Sequence, residues 1–193
     1  MQRPPRRTLG RDDLVLSAGT IPNATFRERV AAARAGGFAA ISVRVRDVVR
    51  AREQEGLTDD DLRALLDEHG LVVAEMEALG DWRPGAQLGR RQVRADEMLA
   101  LAQALGARSI SVVDGPGEPL PVEAAAAAFA ALCDRAAALD LLLHLEFWPG
   151  SRVALATAAR IVEAADRPNG GILVDAWHLA RTAGGRELLR TVP

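Results

Sequence analysis

The sequence predicts an α/β fold of the (β/α)8 TIM-barrel type, with about six βα units present in the chain. Three observations carry this. Short apolar runs rich in Val, Ile and Leu alternate with longer Ala/Leu/Arg/Glu runs at helical spacing. The apolar runs read as strands buried on both faces, as in a parallel sheet covered by helices. Their starts, at residues 14, 39, 72, 109, 141 and 171, stand about 31 residues apart on average, and eight such units make a barrel of about 250 residues.

Taken in order, the strands are expected at 14–19, 39–45, 72–79, 109–114, 141–147 and 171–175. Helices are expected at 24–35, 59–69, 89–105, 121–139 and 152–165, with a sixth at 184–190. Gly36-Gly37, Gly70 and Gly106 follow helix ends, where a left-handed residue satisfies the last carbonyls. Thr58-Asp59 opens a helix with a side-chain cap and early acids. Pro121 with Glu123 suits a first helical turn. A doubly wound open sheet also accommodates six units, but the first strand runs into SAGTIPNATF, which is no glycine fingerprint for a dinucleotide. Residues 1–12 are expected to be a flexible N-terminal segment, and 13–193 a single barrel domain lacking the last two βα units, since the chain stops where a seventh strand should begin.

Composition narrows the chemistry. The 193 residues carry a net charge of −2, and 49% are apolar, enough to build a core. All basic residues are Arg; there is no Lys and no Tyr. This excludes Schiff-base lysines, pyridoxal enzymes, P-loop ATPases and Tyr-Lys dehydrogenases. The near-neutral charge argues against a nucleic-acid partner. Cys133 has no partner for an internal disulfide, and the start MQRPPRRTLGRDD has no apolar signal core, so a cytoplasmic location is expected. The Ala-rich stretch 122–145 carries Glu123, Asp134, Arg135 and Asp140, so no membrane span is expected.

In a barrel, chemistry sits at the C-terminal ends of the strands. There the sequence places Arg44, Arg46 and Asp47 after strand two, Glu75 and Glu77 on strand three, Asp114 after strand four, His144 and Glu146 on strand five, and Asp175 and His178 after strand six. Glu146 lies in an apolar strand, and His144, two residues earlier, shares its face. A carboxylate there needs a cation or a set of hydrogen bonds, so either an arginine pair or a metal answers. Asp175 closes ILVD, and either caps the next turn or binds a metal with its neighbour. Carboxylates with an imidazole suit Mg, Mn, Co or Zn ions. His69, at a helix end before Gly70, reads as structural, and Cys133 as a small buried hydrophobe.

The segments LHLEFWPG and NGGILVDAWHLAR, with the opening LSAGTIPNATFRERVAAARAGGFAAI, resemble the xylose isomerase-like barrels of the sugar phosphate isomerase/epimerase superfamily. That superfamily includes ketose 3-epimerases, hydroxypyruvate isomerases, inosose dehydratases and dehydroshikimate dehydratases. The resemblance implies one divalent metal ion held by Glu146 and Asp175, with Glu146 also the catalytic acid/base group. It implies substrate contacts from His178 and, around the pocket, His144, Glu77, Arg44 and Trp148, with Trp82 and Trp177 as further walls. The family's other ligands, a histidine on strand seven and a carboxylate on strand eight, have no counterpart in the chain. The implied activity is isomerisation or epimerisation of a small sugar, sugar phosphate or keto-polyol through an enediolate. Dehydration by loss of a β-hydroxyl is the near alternative. The superfamily's DNA-repair endonucleases need several histidines at a three-metal cluster; this chain has three in all. A shortened, non-catalytic relative is the remaining reading, and its open sheet edges would call for a partner copy, a possible homo-oligomer.

Overall fold

The computed structural model describes residues 8–86, 93–190 and 192. In chain order its elements are β1 (Val15–Leu16), α1 (Phe26–Ala35), β2 (Ala40–Arg44), α2 (Val45–Glu55), α3 (Asp59–Glu68) and β3 (Val72–Leu79). Then follow α4 (Ala95–Leu105), β4 (Ser109–Val112), α5 (Val122–Ala137), β5 (Leu142–Glu146), α6 (Leu155–Ala165), β6 (Gly170–Leu173), α7 (Ala176–Ala180) and α8 (Gly185–Leu189). The sheet order is β1-β2-β3-β4-β5-β6, and β1/β2, β2/β3 and β5/β6 pair in parallel. Strands in sequence order with helical crossovers are the barrel-type α/β arrangement that the spacing predicts. The expected N-terminal segment falls partly on residues 1–7, the start of the third expected helix on 89–92, and the chain end on 191 and 193, all outside the described residues. The chain divides into two compact units, 1–77 with 100–109, and 78–99 with 110–193.

In the first unit, β2 buries Ala40, Ile41 and Val43. Helix α1 opens with a reciprocal cap: Glu28 N donates to Thr25 Oγ1 at 3.2 Å, and Thr25 N donates to Glu28 Oε2 at 2.8 Å. It buries Phe26, Val30 and Ala33, one helical stripe. The second strand ends one residue earlier than expected, and α2 begins at once. Val45, Val48 and Ala51 are its buried face, and Asp47 Oδ2 accepts the Arg44 N–H at 3.2 Å, which satisfies a first-turn donor.

Helix α3 repeats the capping device: Thr58 Oγ1 accepts from Asp61 N at 3.2 Å, and Asp61 Oδ2 accepts from Thr58 N at 2.8 Å. At its other end His69 Nδ1 is bonded to the Leu65 carbonyl at 2.9 Å. The hydrogen bonds from Thr58, side chain first and backbone second, hold the Asp61 carboxyl below its ordinary value. A depressed carboxyl stabilises the fold above its unfolded pKa, and that contribution fades as pH falls through the folded value. Thr58→Ala is expected to lower stability by about 1 kcal/mol through the lost cap. NMR titration should then show the Asp61 carboxyl moving up toward its ordinary value; an unmoved Asp61 would contradict this account.

The second unit packs on an alanine-rich seam. Helix α5 buries Ala125, Ala126, Phe129, Ala130, Leu132, Cys133 and Ala136, and α6 buries Leu155, Ala158, Ile161 and Ala165. Small side chains let backbones approach closely. A Cβ on Gly170 of β6 would lie 3.0 Å from a Phe129 ring carbon and 3.1 Å from the Cys133 Sγ. Burial, with Asp134 adding to it, pushes the Cys133 thiol up to about 11. Trp82 meets the edge of Phe129 at 6.2 Å. Among the described residues, no helix is long and apolar enough to cross a membrane.

Candidate functional site

The second unit brings three donor groups together. Along β5, Leu143 and Leu145 are buried, while His144 and Glu146 are half-buried on the opposite face. The parallel register sets Glu146 against Leu173, the last residue of β6. Two residues further, Asp175 caps α7: its Oδ1 accepts from Trp177 N at 2.6 Å and from His178 N at 3.0 Å. The first turn of α7 then carries the His178 ring back to β5, with Nε2 3.8 Å from Glu146 Oε1. One donor atom from each of Glu146, Asp175 and His178 lies within 4.8 Å of the others.

Of the two sequence readings of Asp175, the cap is the one seen directly. Its Oδ1 holds the cap, and Oδ2 has no hydrogen bond among the described residues. The cap also fixes α7, and with it His178, beside Glu146. At 3.8 Å the His178–Glu146 approach is too long for a hydrogen bond. Two carboxylates and one imidazole fit a divalent ion of intermediate hardness. Three protein groups with open positions are the arrangement of a catalytic rather than a structural site.

The other sequence candidates are placed differently. His144 faces Gly171 across the β5/β6 register and is not one of the three clustered groups. Trp148 follows β5 and donates its indole N–H to the Asp114 carbonyl at 3.1 Å. Arg44 and Glu77 lie in the first unit, where Arg44 Nε donates to Glu77 Oε2 at 3.1 Å. Ser42 Oγ donates to the other Glu77 oxygen and accepts from Ala18 N at 2.8 Å. This relay holds Arg44 and Glu77 in fixed positions within that unit. Trp177 is 67% exposed, with the Arg181 guanidinium over its ring at 5.3 Å.

One cluster escapes a reading of strand ends alone. Asp114, past β4, is buried and takes a two-pronged bond from Arg83, Nε to Oδ2 at 2.6 Å and NH2 to Oδ1 at 3.0 Å. Arg152 also reaches Oδ1, at 3.5 Å. Asp114 is visible in the sequence as a strand-end acid, but nothing there marks which arginines it collects.

The sequence profile described as xylose isomerase-like TIM barrel matches residues 30–192. The chain belongs to this family. No curated protein sequence matches it. Among solved structures, it superposes on the IolI protein, determined with a zinc atom, with a TM-score of 0.75 and 19% identity, over 90% of this chain and 69% of that one. The probable 3-DHS dehydratase AsbF from Bacillus anthracis gives a TM-score of 0.73 at 17% identity, over 93% of this chain and 69% of that one. An L-ribulose 3-epimerase gives 0.67 at 18% identity, over 87% of this chain and 62% of that one. These likenesses share the family's fold, and on that fold the Glu146–Asp175–His178 cluster lies at the strand ends where family sites are built.

Proposed function

We propose that this family member is a divalent-metal-dependent isomerase or epimerase of a small sugar, sugar phosphate or keto-polyol. The observation that carries the reading is the cluster of Glu146, Asp175 and His178 donor atoms within 4.8 Å, at the ends of two adjacent parallel strands. These three residues would hold the ion, consistent with a zinc atom in the structurally similar IolI protein. The bound ion would supply Lewis-acid polarisation of a substrate carbonyl.

The chain's own residues supply the proton chemistry. Glu146 is a carboxylate on a strand whose alternate side chains, Leu143 and Leu145, are fully buried, so its position is fixed by the core. It is the base that removes a proton from the carbon beside the carbonyl and returns it. Return to the neighbouring carbon isomerises the substrate, whereas epimerisation needs a second acid on the opposite face, the role that the family resemblance gives to a carboxylate on strand eight. Trp148, held by the Asp114 carbonyl, gives the site an apolar wall.

Calorimetric titration with Zn²⁺ and Mn²⁺ tests the site, and NMR of small ketoses in D₂O tests the chemistry. Saturable binding of one ion, with metal-dependent deuterium uptake beside the carbonyl, is the expected result. Absence of binding overturns the metal site. Binding without exchange overturns the isomerase reading. Loss of a hydroxyl in place of exchange moves the assignment to the dehydratases, the chemistry named for the structurally similar AsbF.

A further inference from the structure

We infer that Arg152 is an oxyanion-binding residue of this same site, so that the substrate carries a carboxylate or phosphate group. The inference rests on the proposed function for the location of the site, and on a separate observation for the charge. Asp114 is the only carboxylate paired with Arg83 and Arg152 among the described residues, so the cluster carries a surplus positive charge. Asp114 does not need the second arginine. Its two oxygens already accept both prongs of Arg83 and the Gly115 N–H at 2.8 Å. The 3.5 Å approach of Arg152 NH1 is at the limit of a hydrogen bond.

What Arg152 has instead is a seat. A Cβ at Gly117 would fall 2.8 Å from its Nε and 3.0 Å from its Cζ and NH2, so the guanidinium occupies space that only glycine leaves open. Gly117, at φ +144°, also has a backbone that other residues rarely adopt. The loops that carry these residues are fastened by backbone bonds: Arg152 N to Gly115 O at 2.9 Å and Leu120 N to Arg152 O at 3.2 Å. The Arg152 side chain is therefore not required to join them. Among the described residues, its Nε and NH2 make no hydrogen bond, and the side chain is 28% exposed. Nε–H and NH2 form the planar fork that matches a carboxylate or phosphate edge.

Position ties the fork to the chemistry. Arg152 lies six residues after Glu146, on the loop leaving β5, and Trp148 between them is bonded to the same Asp114. A fixed cation there would select acidic substrates over neutral sugars and set which end of the substrate faces Glu146.

The test is a titration of the full chain with inorganic phosphate and, separately, with glycolate. It is followed by the Arg152 Nε–H signal in ¹⁵N NMR, alongside divalent-metal titrations. Saturable binding of at least one anion with a shift of that signal is expected, and the stronger arm identifies phosphate or carboxylate. Arg152→Gln should weaken binding about tenfold or more, and Arg152→Lys should weaken it less, because charge is kept and the fork is lost. Metal affinity should be unchanged in both variants. Failure of either anion to move the Arg152 signal in the wild-type protein overturns the inference, even if the variants fail to fold. Equal anion affinity in Arg152→Gln also overturns it. Anion binding that persists where no metal binds would sink the proposed function and leave the oxyanion site standing.

Discussion

Asp47→Ala is expected to lower the stability of the protein by about 3–5 kcal/mol. Arg29 and Asp47 form an ion pair at 2.8 Å between α1 and α2, with side chains 1% and 5% exposed. The Arg29 Nε and NH2 atoms are buried and have no hydrogen-bond partner among the described residues. Asp47 is thus the one carboxylate among the described residues that pairs with the buried Arg29 guanidinium. Truncating it leaves that charge buried without compensation, which costs far more than the pair itself contributes. Asp47 Oδ2 also accepts the Arg44 N–H at 3.2 Å, so the start of α2 loses a bond as well. The double variant Arg29→Met, Asp47→Ala removes the orphaned cation and should recover most of the loss, since an apolar side chain of similar length needs no partner there. Urea unfolding of the wild type, the single variant and the double variant measures all three. A loss below about 1 kcal/mol for Asp47→Ala, in the range of a surface pair, would show that Arg29 finds water when its partner is gone.

The same stretch shows where the sequence is legible and where it is not. Strands β3 and β5 are readable because their apolar runs are bounded by Gly or helix-end signals, and all six strands lie where those runs place them. Helix α2 is not. Its Val45, Val48 and Val49 continue the β-branched run of β2, so the local composition favours a strand. What ends the strand at Arg44 is the Asp47 carboxylate, itself fixed by Arg29 from another helix, and that contact is tertiary. Asp166, at φ +47°, ends α6 in the left-handed position that a sequence reading assigns first to glycine. At the candidate site, strand-end position includes Glu146, Asp175 and His178 among several polar residues, and the family resemblance is what singles them out. The Arg83–Asp114–Arg152 cluster stays hidden because its members come from three separate loops. Their meeting is decided by the fold rather than by spacing.

Glu146→Gln and Asp175→Asn should each weaken divalent-metal binding by about a hundredfold or more. Each removes one charged donor from a set of three, a larger change than the loss of an outer-shell partner. Both replacements are close in size to the originals, so the fold should survive. Asp175 requires the amide variant in particular. Its Oδ1 caps α7 through the N–H groups of Trp177 and His178, and asparagine caps as well as aspartate, so Asp175→Asn keeps His178 in place while removing the charge. Asp175→Ala removes cap and charge together, and any further loss beyond that of Asp175→Asn measures what the cap does for His178. Calorimetric titration of the three variants with Zn²⁺, beside His178→Ala, then separates two roles for the histidine. If His178 is a ligand, its removal lowers metal affinity as the carboxylate changes do. If it contacts substrate, metal affinity holds while deuterium exchange falls. Unchanged metal affinity in both Glu146→Gln and Asp175→Asn would remove the cluster as the metal site. The ligand role is the one favoured by geometry, because an imidazole 3.8 Å from a carboxylate is too far to bond it directly and close enough to share an ion with it.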